Sequence, residues 1–157
     1  MKQNTIYKTE ISDTRWWAYD IPGNVGWIMY LVCLIQCFVK RPAFMNALSV
    51  RIPLLIGVLS AITMLVGIAE LISERILKLD RVLPKNRLYR GFGALTWGGS
   101  AGSIVGMIAL FAGVRGGYTL QECRTLVLLT VGGLLCALFA GLILKTFRPQ
   151  QKDAPAS

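Results

Sequence analysis

The stretch TWGGSAGSIVGMIAL, residues 96–110, decides what kind of molecule this is. It is uncharged and apolar enough to lie in a bilayer, yet it holds four glycines and two serines. Glycine inside a helix is disfavoured by about 1 kcal/mol relative to alanine, so several in one membrane-length helix need a compensating contact. Small residues let two helix backbones approach closely. In lipid the hydrophobic effect no longer drives helices together, and such contact becomes a main source of association.

The stretch sits inside an apolar run, 92–114, and three further runs resemble it, at 21–39, 52–72 and 126–144. A spanning helix needs about 20 mostly apolar residues. The chain of 157 residues is 54% hydrophobic and 16% charged, whereas a soluble domain averages about 25% charged. The first run is the weakest, with Pro22, Gly23 and Asn24 at its start and Gln36 near its end, but VGWIMYLVCLIQCFV, 25–39, carries no charge. It follows a polar segment and no small-residue cleavage pattern succeeds it, so it reads as an uncleaved membrane helix. The expected fold is all-α: a polytopic integral membrane protein with four transmembrane helices in a compact bundle. On this reading residues 1–20 form a polar and aromatic N-terminal segment, 21–146 the four-helix transmembrane domain, and 147–157 a flexible polar tail.

The net charge is +9. Positive-inside topology accounts for it more simply than nucleic acid, for which no basic and aromatic face is present. With four spans, the N-terminal segment (Lys2, Lys8, Arg15), the segment between the second and third spans (Arg75, Lys78, Arg81, Lys85, Arg87, Arg90) and the tail (Lys145, Arg148, Lys152) share one side. Only Lys40, Arg41, Arg51, Arg115 and Arg124 lie on the other. This asymmetry places both termini in the cytoplasm. Trp16, Trp17 and Tyr19 beside Arg15 suit the headgroup layer, where amphipathic rings settle, or a short surface helix that docks a partner.

In LISERILKLDRVLPKNR, 71–87, the residues Ile72, Ile76, Leu79 and Leu83 recur at helical spacing, and Glu74 precedes Lys78 by four in the favourable order. The second span is therefore expected to continue as an amphipathic cytoplasmic extension to about Val82, ending before Pro84. Its basic residues, Arg75, Lys78, Arg81, Lys85, Arg87 and Arg90, are candidates for contact with anionic lipid or a partner at the cytoplasmic face.

Read by fours, Ala94, Gly98, Gly102 and Gly106 share one face of the third span, and Gly133, Ala137 and Gly141 one face of the fourth. These small-xxx-small residues are the expected helix-packing positions. Two arrangements fit: the two grooves face each other in an antiparallel hairpin, or one turns outward for self-association or another membrane subunit.

Chemistry is sparse. GGSAG, 98–102, matches the nucleophile-elbow pattern, but that motif needs a strand-to-helix turn and a histidine base, and the chain has no histidine. Ser100 would lie roughly 12 Å into the third span, too deep for Lys145. GVRGG, 113–117, lacks the ending of a phosphate loop. Among Cys33, Cys37, Cys123 and Cys136 there is no C-x-x-C pair. Cys37 and Cys123 fall near the same surface, where a disulfide is conceivable, but buried thiols acting as small hydrophobes are commoner. Neither a cofactor nor a metal is expected. Glu70, in the last turn of the second span, is the candidate ionisable site: an interfacial carboxylate pairing with Arg75 or Lys145, or a protonatable group at the inner mouth of a pathway.

The sequence thus points to a small four-span, non-enzymatic membrane protein. The expected role is that of an interaction or accessory subunit of a transport or assembly complex. The alternative is a homo-oligomeric channel or small transporter with Glu70 near its cytoplasmic entrance.

Overall fold

The computed structural model describes residues 6–9, 13–75 and 87–150. In order these form a strand β1 (Ile6–Thr9), helices α1 (Asp13–Lys40), α2 (Leu48–Arg75), α3 (Arg87–Arg115) and α4 (Arg124–Leu144), and a strand β2 (Phe147–Gln150), with a 3-10 turn at Ala43–Asn46 before α2. Among the described residues four helices are long and apolar enough to cross a membrane, the pattern of an integral multi-pass membrane protein. Helices suit that setting because they satisfy every backbone polar group within the segment, as lipid demands.

The helices extend beyond the apolar runs. The first candidate span covers Arg15–Lys40, so α1 takes in part of the polar N-terminal segment and carries Pro22 inside it. Membrane helices tolerate such a proline because neighbouring groups re-satisfy the freed carbonyl. α2 likewise begins before Pro53 and continues to Arg75. The expected amphipathic extension beyond that point lies outside the described residues.

Packing follows an order different from the chain. α2 packs on α3, α3 on α4, and α4 on α1, whereas α1 and α2 meet only sparingly. The connections α1–α2 and α3–α4 lie together at one end, the loop end, where the Tyr118 hydroxyl donates to the Ala43 carbonyl at 3.0 Å. The opposite, terminal end carries an antiparallel ribbon in which Ile6 pairs with Gln150 and Thr9 with Phe147. The polar tail expected from 147 onward therefore opens with a paired strand. Its first residue, Phe147, is buried, meeting Tyr89 edge-on and Phe92 at a tilt with ring centroids 5.9 and 6.3 Å apart. Trp16 meets Phe92 edge-on from α1 at 5.4 Å.

The distribution of side chains suits a membrane solvent. Large apolar residues point outward along each helix, among them Ile28, Leu59, Phe111 and Leu138, and Trp97 is 77% exposed. Buried positions hold many small residues, including Gly98, Gly99, Gly102, Gly106, Gly132 and Gly133. An exterior this apolar has to be covered by lipid or protein.

Candidate functional site

One fully buried side chain reaches across the interior of the bundle. Tyr30 of α1 is 0% exposed, and its hydroxyl donates to the Gly57 carbonyl of α2 at 3.0 Å. A methyl group added at Gly102 of α3 would lie 2.6 Å from Tyr30 Cε2, and one at Gly132 of α4 would lie 2.8 Å from the Tyr30 nitrogen. Tyr30 of α1 therefore meets the other three helices, with its ring over Gly102, its hydroxyl at Gly57 and its backbone against Gly132.

The other glycines sort by neighbour. Between α3 and α4, methyl groups at Gly99 and Gly133 would meet the Ala137 and Ser103 nitrogens at 2.6 and 2.7 Å, and one at Gly106 would meet Thr130 Oγ1 at 2.5 Å. Between α2 and α3, Gly67 faces the Gly91 carbonyl and Ala94, and Gly98 faces Met64 and the Ser60 carbonyl. Between α1 and α4, Gly26 lies against Cys136 and the Gly132 carbonyl.

The residues singled out in the sequence are thus divided among several contacts. Ala94 and Gly98 lie toward α2, Gly102 toward Tyr30, and Gly106, Gly133 and Ala137 along the α3–α4 seam. Gly141 makes only ordinary contact, with Thr96 at 3.6 Å. Reading by fours within the third and fourth spans does not reach Gly26, Gly57, Gly67, Gly99 and Gly132, which also make close contacts. A search for glycine pairs on different spans, rather than for fours within one span, is the signal that finds them.

The candidate ionisable residue Glu70 has its oxygen 3.5 Å from an Arg90 Nη, in a pair that joins α2 to α3. The partner seen among the described side chains is thus Arg90, a residue of the next span. Arg90 is 58% and Glu70 28% exposed, which makes this a rim contact of modest strength. Arg75 closes α2 and Arg87 opens α3. Lys78, Arg81 and Lys85 lie outside the described residues.

A second acid, Asp20, is only 6% exposed. It lines a cavity of about 10 Å³ with Tyr19, Asn24, Phe92, Leu95 and others, room for roughly one water. The available signal was its spacing: Asp20 and Asn24 are four apart and share a helix face. No substrate fits there. The four cysteines are free and buried. Among the described residues no group of three or more Cys, Asp or Glu side chains is placed to hold a metal.

At the loop end, TLQE, 119–122, makes a reciprocal turn before α4. Glu122 Oε2 accepts from the Thr119 N–H at 2.7 Å and its hydroxyl at 2.8 Å, while Thr119 Oγ1 accepts from the Glu122 N–H at 3.3 Å. This is the capping-box relationship. The Thr119 donors hold the Glu122 carboxyl below its ordinary value.

Comparison with known proteins adds no assignment: no family model matches the chain, and neither does any curated protein or solved structure.

Proposed function

We propose that this protein is a non-catalytic interaction or accessory subunit of a larger membrane complex, serving transport or assembly, with both termini in the cytoplasm. The observation that carries the reading is the filled bundle interior. Tyr30 reaches across it and meets α2, α3 and α4 at once. A four-helix unit closed by backbone contact offers its surface, rather than a lumen, for work. On this reading the segment around Arg75, Lys78, Arg81, Lys85, Arg87 and Arg90 meets anionic lipid or a partner at the cytoplasmic face, where each basic residue near the surface is worth about 1 kcal/mol.

In the transport alternative, Glu70 stands at the inner entrance of a homo-oligomeric channel or small transporter. The Arg90 guanidinium beside Glu70 favours a structural role for that carboxylate instead.

Gentle extraction of the native membrane into polymer discs, followed by mass and composition analysis of the particle, separates the two. Stable association with different chains supports the accessory reading. A homo-oligomer that conducts ions after reconstitution overturns it.

A further inference from the structure

The loop end carries a feature independent of the accessory reading. Phe38, Arg41, Met45, Asn46 and Arg51 line a cavity of about 190 Å³. A water's share of liquid volume is about 30 Å³, so the space admits a polyatomic ligand. None of the five lining residues is acidic, and two are arginines.

The cavity is built rather than incidental. Arg51 Nε and Nη2 both donate to the Met45 carbonyl, at 3.2 and 3.0 Å, which fixes the guanidinium plane while using two of its five donors. The intervening turn is anchored by the buried side chains of Phe44 and Met45. From the other connection, the Tyr118 hydroxyl donates to the Ala43 carbonyl. Arg41 holds a left-handed backbone with φ 43°, a conformation uncommon for residues other than glycine. A glycine would adopt it more readily, so the side chain is present at some conformational cost.

The surrounding charge is one-sided. Segments 40–51 and 115–124 contain Lys40, Arg41, Arg51, Arg115 and Arg124 but a single acid, Glu122. That carboxylate is engaged by Thr119.

We propose that this cavity binds a phosphate group between the guanidinium groups of Arg41 and Arg51. Guanidinium forks match the oxygens of phosphate and are strongest when pre-positioned. The cavity lies where α1 leaves the membrane span and α2 enters it. Phe38, nearly one turn before Arg41, supplies an apolar wall. The source of the phosphate is therefore the headgroup of an anionic phospholipid.

The test uses the full chain, purified in detergent and stripped of lipid. Native mass spectrometry measures binding of phosphatidylglycerol and phosphatidylcholine, and thermal unfolding is followed with and without inorganic phosphate. Phosphatidylglycerol is expected to bind at least about tenfold tighter than phosphatidylcholine, and Arg41→Gly to lose about tenfold of that affinity, a change typical of one charge-assisted contact. Because glycine suits the left-handed position, the Arg41→Gly protein keeps or raises its melting temperature, which separates lost binding from lost folding. Arg124→Gln, outside the cavity lining, stays within about twofold of the parent. Protection by millimolar inorganic phosphate that added lipid does not displace, and that Arg41→Gly abolishes, supports the phosphate site but assigns it to free phosphate. A well-folded Arg41→Gly protein that binds phosphatidylglycerol and phosphate like the parent overturns the proposal, as does a parent that binds neither.

Discussion

The Tyr30 hydroxyl donates to the Gly57 carbonyl at 3.0 Å, joining α1 and α2 across a boundary where the two helices otherwise scarcely meet. The ring passes over Gly102 on the way, so one aromatic residue links α1, α2 and α3. Tyr30→Phe should remove the hydrogen bond while keeping the ring, at a cost of about 1 kcal/mol. Gly102→Ala forces a methyl group against that ring and should cost about 1–3 kcal/mol. Combined with Tyr30→Leu, the Gly102→Ala penalty should shrink, because the two positions share one volume. Denaturation in detergent of the parent, Tyr30→Leu, Gly102→Ala and the double variant measures this, and strictly additive losses would show that the contact is not formed.

Two glycines of α3 make an internal control. A methyl group at Gly93 meets nothing within 4 Å, whereas at Gly99 it meets the Ala137 nitrogen at 2.6 Å. Gly93→Ala should therefore be neutral or stabilising by up to about 1 kcal/mol, through helix propensity and a less flexible unfolded chain. Gly99→Ala should destabilise by about 1–3 kcal/mol, through forced separation of α3 and α4. Equal melting temperatures for the two variants would contradict the assigned α3–α4 seam.

Glu70→Gln tests the rim pair with Arg90. A partly exposed pair contributes about 0–1 kcal/mol, so the variant should fold, with little change in unfolding temperature. If the same substitution abolishes a measured ion or solute flux in a folded protein, the accessory reading fails and the transport reading replaces it.

The Glu122 carboxyl titrates below its ordinary value because the Thr119 N–H and hydroxyl donate to it. A carboxylate depressed on folding contributes stability that is present above its unfolded pKa and lost as pH falls through the folded value. The side chain is exposed, so the effect is small. Parent and Glu122→Gln proteins should differ in melting temperature at neutral pH and converge in acid. A difference that persists unchanged below pH 3 would rule out this linkage.

Cys33, Cys37, Cys123 and Cys136 are all buried, and burial raises the thiol of Cys123, the one that precedes α4. Since the thiolate is the reactive form, maleimide at neutral pH should leave the folded protein unmodified and label it after denaturation. Rapid labelling of Cys123 in the folded state would contradict its packing against Gly113.

What the sequence determined by itself is the set of helices. In lipid each backbone group must find its partner inside the segment, so a run of about 20 apolar residues is enough to specify a span. The runs at 52–72 and 126–144 lie within α2, Leu48–Arg75, and α4, Arg124–Leu144. Tertiary structure alone decided who meets whom. Gly98 and Gly99 are adjacent in the chain, but successive residues of a helix point about 100° apart, and these two face α2 and α4 respectively. A helix with so many glycines presents several usable grooves. Which one is used depends on α4 packing beside α1, on the volume of Tyr30 in the interior, and on Phe147 closing the terminal end against α3. These relationships join residues tens of positions apart, and glycine, having no side chain, carries no mark of the neighbour it will meet.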